Sequence, residues 1–135
     1  APYITGPEIQ VLDNEKHEDA FIKPKFHQAG ALYDIVEPSS DVCNPAGEWN
    51  HVLLKINHST NKGEVKLNGT KIVSFPLSGP NWDKLIKNTK FRDIKDANYS
   101  PLFNPNFGNF KTGKIGLQDH GNVVSYKNIK IREIE

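Results

Sequence analysis

An antiparallel β-sandwich or barrel is the fold this sequence predicts, and three observations predict it. Apolar and polar residues alternate with the period of a strand through 52–56, 64–67, 115–118 and 129–132. Asn68-Gly69 stands between two apolar-patterned segments, and both central residues of a type I′ hairpin turn need positive φ. Turn-forming Gly, Pro and Asn punctuate the segments at short intervals, with no internal repeat or low-complexity tract.

The elements follow in order. In Glu8-Ile9-Gln10-Val11-Leu12-Asp13, strand geometry points Ile9 and Val11 one way and Glu8 and Gln10 the other. Residues 14–28 carry charges, Pro24 and His27 without a period and read as a loop. Val52, Leu54 and Ile56 alternate with Leu53 and Lys55. Val65 and Leu67 alternate with Glu64 and Lys66, and Ile72 and Phe75 continue beyond the Asn-Gly turn. One short helix is expected near 80–91. Trp82, Leu85, Ile86 and Thr89 fall at helical spacing, Asp83 sits early, and Lys87 and Lys90 sit late where cations complement the dipole. Residues 98–112, with Pro101, Pro105 and Gly108, read as a second long loop. Ile115 and Leu117 then alternate with Gly116 and Gln118, which sends the apolar pair into a core and leaves Gln118 and His120 on the opposite face. Val123 to Ile134 reads as a last long strand, with Ile129 and Ile131 alternating against Lys130 and Arg132.

Composition narrows the function. The 135 residues fit a single domain, 1–135. Seventeen basic residues against sixteen acidic give a net charge of +1, and neither sign forms a block, so nothing favours nucleic acid as a partner. No apolar run approaches the roughly 18 residues of a membrane span. The start, Ala1-Pro2-Tyr3-Ile4, has neither the basic nor the apolar region of a signal peptide, so any export signal is expected to have been removed or never present. The lone Cys43 has no partner for a disulfide and reads as a buried or half-buried thiol.

Several side chains are candidates for chemistry. Glu8 and Gln10 suit sugar hydroxyls, a carboxylate accepting and an amide both donating and accepting, although an ordinary solvent-facing strand fits their alternation too. His120 beside Asp119 and Gly121 is the best general acid or base, because imidazole titrates near neutrality, with a turn-capping role as the alternative. Asp13, Glu15 and His17 have a spacing compatible with a divalent metal ion or with acid work, and equally with a solvated charged loop. Tyr33 offers an aromatic platform or a phenolic donor, or sits at a core edge. Trp49 reads as a core or strand-entry anchor rather than a sugar stacker, His27 as a lesser candidate, and His51 and His58 are assigned no chemistry. Motifs for a serine hydrolase elbow, a phosphate loop, a zinc protease helix and the Glu-x-Asp-x-x-Glu of jelly-roll glucanases are absent.

Five segments together resemble one family. Glu8-Ile9-Gln10-Val11-Leu12-Asp13, Gly30-Ala31-Leu32-Tyr33, Pro45-Ala46-Gly47-Glu48-Trp49-Asn50, Leu67-Asn68-Gly69 and the run Leu117-Gln118-Asp119-His120-Gly121 ending in Asn128-Ile129-Lys130-Ile131-Arg132 are similar, in order and spacing, to the 3-keto-disaccharide hydrolase domain family. The resemblance implies a concanavalin-like jelly roll. The strands that usually precede the Glu-x-Gln segment have no counterpart, so the chain resembles the C-terminal two-thirds of such a domain. A companion N-terminal fragment or a homo-oligomer is therefore expected to complete the sheet. The resemblance further implies a secreted or periplasmic enzyme that needs no redox cofactor and cleaves 3-keto-glycosides as a hydrolase or lyase. The C3 carbonyl would acidify the C2 proton, and its removal would expel the group at C1. On that scheme His120 and Glu8 are the catalytic acid/base groups, and Gln10, Tyr33, Gln118, Asp13 and His17 contact the carbohydrate. The alternative is a lectin-like carbohydrate-binding module without catalysis.

Overall fold

A computed structural model describes residues 1–92 and 104–134. Its centre is a three-stranded antiparallel sheet in the order β1 (Val52–Asn57), β2 (Lys62–Leu67), β3 (Thr70–Pro76). This sheet-dominated, antiparallel architecture is the expected class, with three strands among the described residues. The β2–β3 turn is Asn68-Gly69, at φ of 50° and 85°, as a hairpin of this type requires. Asn68 also clamps the neighbouring loop: its Oδ1 accepts from the His51 N–H at 2.8 Å and its Nδ2 donates to the Val42 carbonyl at 2.8 Å.

Alternation sorts the sheet into two faces. Val65 and Leu67 of β2 and Ile72, Val73 and Phe75 of β3 are buried. Two neighbours, Ile72 and Val73, can both face inward because the register slips there: Val65 pairs with Val73 but Lys66 with Lys71, so Ile72 is an extra residue in β3. Gly63 is required opposite Phe75, since a Cβ at that position would overlap the Phe75 ring.

Under the buried face lies the segment 29–36, which contributes Ala29, Leu32 and Ile35 to the core. Its backbone joins the first segment through an Ile9–Leu32 bridge and closes on itself through Leu32–Val36. Helix α1 (Asp19–Ile22) precedes it and buries Ala20. Helix α2 (Pro80–Ile86) begins with Pro80, whose fixed φ suits a first turn, and buries Trp82. Trp82 stacks on Phe107 at 6.3 Å between ring centroids, and Phe107 on Phe91 at 4.1 Å. No helix among the described residues is long and apolar enough to cross a membrane.

Four expectations need correction. Helix α2 ends at Ile86 instead of near Phe91. Thr89 diverts the chain by donating its hydroxyl to the Ile86 carbonyl at 2.8 Å and accepting from the Phe91 N–H at 3.1 Å, so Lys90 is no helix-terminal cation. In the first segment the alternation is reversed beyond Ile9. Gln10 is only 7% exposed, whereas Val11 is half exposed, because Gln10 exchanges backbone hydrogen bonds with Ala31 and Gly30 and its Oε1 accepts from the Val11 N–H. Neither 115–118 nor 123–134 is a strand: Ile115 is 77% exposed and Ile131 82%, with Leu117 and Ile129 also in solvent. Their alternation provides an apolar side, but no neighbouring strand among the described residues supplies ladder partners. Of the expected 98–112 loop, 98–103 lies outside the described residues.

Candidate active site

The Ile9–Leu32 bridge places Glu8 opposite Tyr33, whose N–H donates to the Glu8 carbonyl at 2.9 Å. Directly opposed residues of an antiparallel pair project on one face. Around this pair gather Asp19 from α1, His27 and Asp34 from the loop under the sheet, and Lys90 from the turn after α2.

These groups form a closed ring of hydrogen bonds. Lys90 Nζ donates to Tyr33 Oη at 2.8 Å, and Tyr33 Oη donates to Asp19 Oδ2 at 3.2 Å. Asp19 Oδ1 lies 2.9 Å from His27 Nδ1, and His27 Nε2 lies 3.0 Å from Asp34 Oδ1. Asp34 Oδ2 accepts from the backbone N–H of Lys90 at 2.7 Å, which closes the circuit. Both His27 nitrogens face carboxylates, which only accept, so the ring satisfies both contacts when both nitrogens carry hydrogen. The Tyr33 ring also touches two other members of the circuit. The His27 ring is 4.4 Å from its centroid, and the Lys90 ammonium is 4.0 Å from it. Lys23 adds an ion pair to Asp34 at 3.1 Å.

Burial tunes these groups. It raises the Glu8 carboxyl above its ordinary value; the nearby charges of Lys90, His120 and His27 oppose the shift, and Asp19 reinforces it. Burial, joined by Asp19, pushes the Tyr33 phenol well up. For Asp34, burial acts upward but hydrogen bonds from the Lys90 N–H, His27 and Lys23 outweigh it, and its carboxyl falls below the usual range. Burial lowers the Lys90 ammonium against the pull of Asp34, Asp19 and Glu8. A half-buried carboxyl that holds its proton more tightly than an exposed one is suited to acid/base work.

The residues expected from sequence divide into two sets. Glu8 and Tyr33 meet in the cluster, and His120, although exposed, is near enough for its charge to act on Glu8. Gln118 is exposed beside it, on an open groove that Asp119 and Tyr126 also line, and the Tyr126 hydroxyl holds the Gln118 carbonyl at 2.8 Å. Gln10 is turned into the protein, away from any surface a sugar could reach. Asp13 caps its own turn through the N–H groups of Glu15 and Lys16, and His17 Nδ1 accepts from the Asp19 N–H at 3.1 Å. Among the described residues no group of three or more His, Cys, Asp or Glu is arranged to hold a metal ion. Asp119 Oδ1 accepts from the Gly121 N–H and so serves the turn rather than His120. Cys43 is half buried, as expected. Trp49 is half exposed, under the Lys127 ammonium at 3.9 Å.

Asp19, Asp34 and Lys90 were missed, and His27 was ranked too low. Asp19 and His27 lie in the aperiodic stretch 14–28, Asp34 lies beyond it next to Tyr33, and Lys90 had a sufficient explanation as a helix-end charge. The one available signal was Asp34 next to Tyr33, where an Asp tolerates the φ of 64° that it adopts.

Residues 1–132 match the family described as the 3-keto-alpha-glucoside-1,2-lyase-like domain. The chain belongs to that family. A 3-keto-disaccharide hydrolase from Bacteroides thetaiotaomicron is 33% identical over 98% of this chain and 46% of its own length. The chain therefore spans about half the length of that curated relative. A crystal structure from Parabacteroides distasonis, whose glycosyl hydrolase assignment is provisional, superposes with a TM-score of 0.63 at 26% identity, covering 82% of this chain and 46% of that one. A second structure from that organism, with the same provisional assignment, shares the fold, with a TM-score of 0.51 at 21% identity over 76% of this chain and 47% of that one.

Proposed function

We propose that the chain is part of a carbohydrate-active hydrolase or lyase that cleaves 3-keto-glycosides, with Glu8 as a catalytic acid/base group. The observation that carries this reading is the half-buried Glu8 carboxyl, raised by burial and set opposite Tyr33, which itself belongs to the ring of hydrogen-bonded groups. The family match and the hydrolase named for the 33% identical relative support the substrate class.

In the proposed reaction a base removes the C2 proton, its electron pair forms a C2–C3 double bond, and the carbonyl pair moves onto the C3 oxygen. Collapse of that enolate expels the C1 oxygen, which takes a proton from an acid. Glu8 and His120 fill these two roles, and addition of water to the resulting enone makes the outcome a net hydrolysis. The test is aglycone release from a 3-keto-glucoside by the full chain, compared with Glu8→Gln. We expect turnover in the first and a loss of roughly 100-fold or more in the second. Binding without turnover in both would favour the lectin-like reading. Full activity in a folded Glu8→Gln protein would remove Glu8 from the chemistry.

The proposal includes two further expectations. The protein acts in the periplasm or as a secreted enzyme, which fractionation of the source cells tests. A strand-bearing companion completes the sheet: all six residues of the β1 edge are exposed, Val52, Leu53, Leu54 and Ile56 among them, and the relatives are about twice as long. Light scattering that showed these 135 residues alone to be a compact, cooperatively melting monomer would refute the companion.

A further inference from the structure

The proposed reaction needs a donor for the enolate oxygen, and neither Gln10 nor Tyr33 is placed to supply it. Gln10 is buried away from the surface, and the Tyr33 hydroxyl hydrogen is directed at Asp19. Lys90 fits the need. An ammonium has three hydrogens, and the Tyr33 oxygen takes one of them at 2.8 Å.

The placement of Lys90 is over-determined for a half-buried lysine. Its backbone N–H is held by Asp34 Oδ2 and its side chain by Tyr33 Oη, and the five residues of the ring tie these two anchors together. Tyr33 stands opposite Glu8 across the Ile9–Leu32 bridge, and the charges of Lys90 and Glu8 act on each other. An acid/base group and a fixed cation thus both neighbour Tyr33, which is the pairing that proton removal beside a ketone requires. One group takes the proton while the other holds the charge that moves onto oxygen.

We propose that Lys90, anchored at Tyr33, is a further catalytic residue that donates a hydrogen bond from Nζ to the C3 oxygen of a 3-keto sugar as the C2–H bond breaks. This inference rests on the function proposed above. The C2 proton goes to the base, the electron pair of that bond forms the C2–C3 double bond, and the carbonyl pair becomes the oxyanion that Lys90 holds. No proton leaves Lys90, and no oxidant or reductant enters the step.

The test follows enolisation directly. The full chain, Lys90→Met and Lys90→Arg are incubated in heavy water with a 3-keto-glucose analogue that carries hydrogen in place of the C1 leaving group, and deuterium uptake at C2 is read by NMR. The expected result is exchange in the unaltered protein, a slowing of roughly 100-fold to 1,000-fold in Lys90→Met, and partial recovery in Lys90→Arg. Wild-type exchange in a folded Lys90→Met protein would overturn the inference while leaving the proposed function intact. Absence of exchange in the unaltered protein would overturn both. If Lys90→Met does not fold, Tyr33→Phe keeps the aromatic ring and removes the anchor. Slowed exchange in Tyr33→Phe supports the inference, and unchanged exchange overturns it.

Discussion

Strand β2 and the segment 113–134 carry the same kind of alternation and meet opposite fates. In β2, Val65 and Leu67 are wholly buried, between two hydrogen-bonded strands and above Leu32 and Ile35. In the second region Ile115, Leu117, Ile129 and Ile131 are all exposed. The difference is not in the side chains, since a buried Val, Leu or Ile gains about 1.5–3 kcal/mol wherever it is covered. It lies in the neighbours. Alternation gives a segment an apolar side, and only a partner strand and an opposing layer turn that side into core.

Removing a methyl-rich side chain from the packed region should therefore give the largest effect. Leu67→Ala is expected to destabilise the fold by about 2–5 kcal/mol, through lost burial and the cavity left beneath the sheet. Chemical denaturation would show this as an earlier midpoint at unchanged slope. A loss below about 1 kcal/mol would mean that β2 is no better packed than the exposed segment, and the contrast would fail.

The polar ring sharpens the comparison from another side, because its buried members Asp34 and His27 are held by charge and hydrogen bonds instead of apolar packing. Asp34→Asn removes the negative charge and one of the two acceptor oxygens that face Lys23, His27 and the Lys90 N–H, and is expected to cost about 2–3 kcal/mol. The pH dependence has a definite sign. The folded Asp34 carboxyl lies below its unfolded value near 3.8, so its contribution is complete above that pH and is lost as pH falls towards the folded value. Thermal melts from pH 6 down to the acid limit should show the unaltered protein losing its advantage over Asp34→Asn; parallel curves would show that this carboxylate is not held by the ring.

Legibility followed the same divide. The Asn68-Gly69 hairpin, the β2 and β3 faces and the buried Trp82 could be read from sequence because each depends on residues within a few positions of one another. The exposed state of 113–134 could not, because it depends on what lies beside the segment. At the site, Glu8 and Tyr33 were visible as polar residues in strand-like runs, and the family resemblance gave them a purpose. The ring that organises them was invisible: Lys90 reaches Tyr33 across 57 positions, and Asp34 holds the Lys90 N–H across 56. Contacts of that separation leave no period. Gln10 misled for a related reason, since backbone pairing with Ala31 and Gly30 fixed its direction more firmly than alternation did.

The smallest expected effect tests the other half of the comparison. Ile131→Ala in the 135-residue chain should change stability by no more than about 0.5 kcal/mol, because a side chain 82% exposed has little burial to lose. The same substitution in an assembly that supplies the companion strands should cost about 2 kcal/mol or more, since Ile131 would then be core. Denaturation of both forms, with and without the companion, measures the two numbers. Equal and negligible costs would show that the apolar side of 129–131 is surface in every state, and the companion would have to dock elsewhere. A large cost in the isolated chain would be more damaging, for it would mean that 113–134 already packs and that the two regions do not differ in the way their exposure indicates.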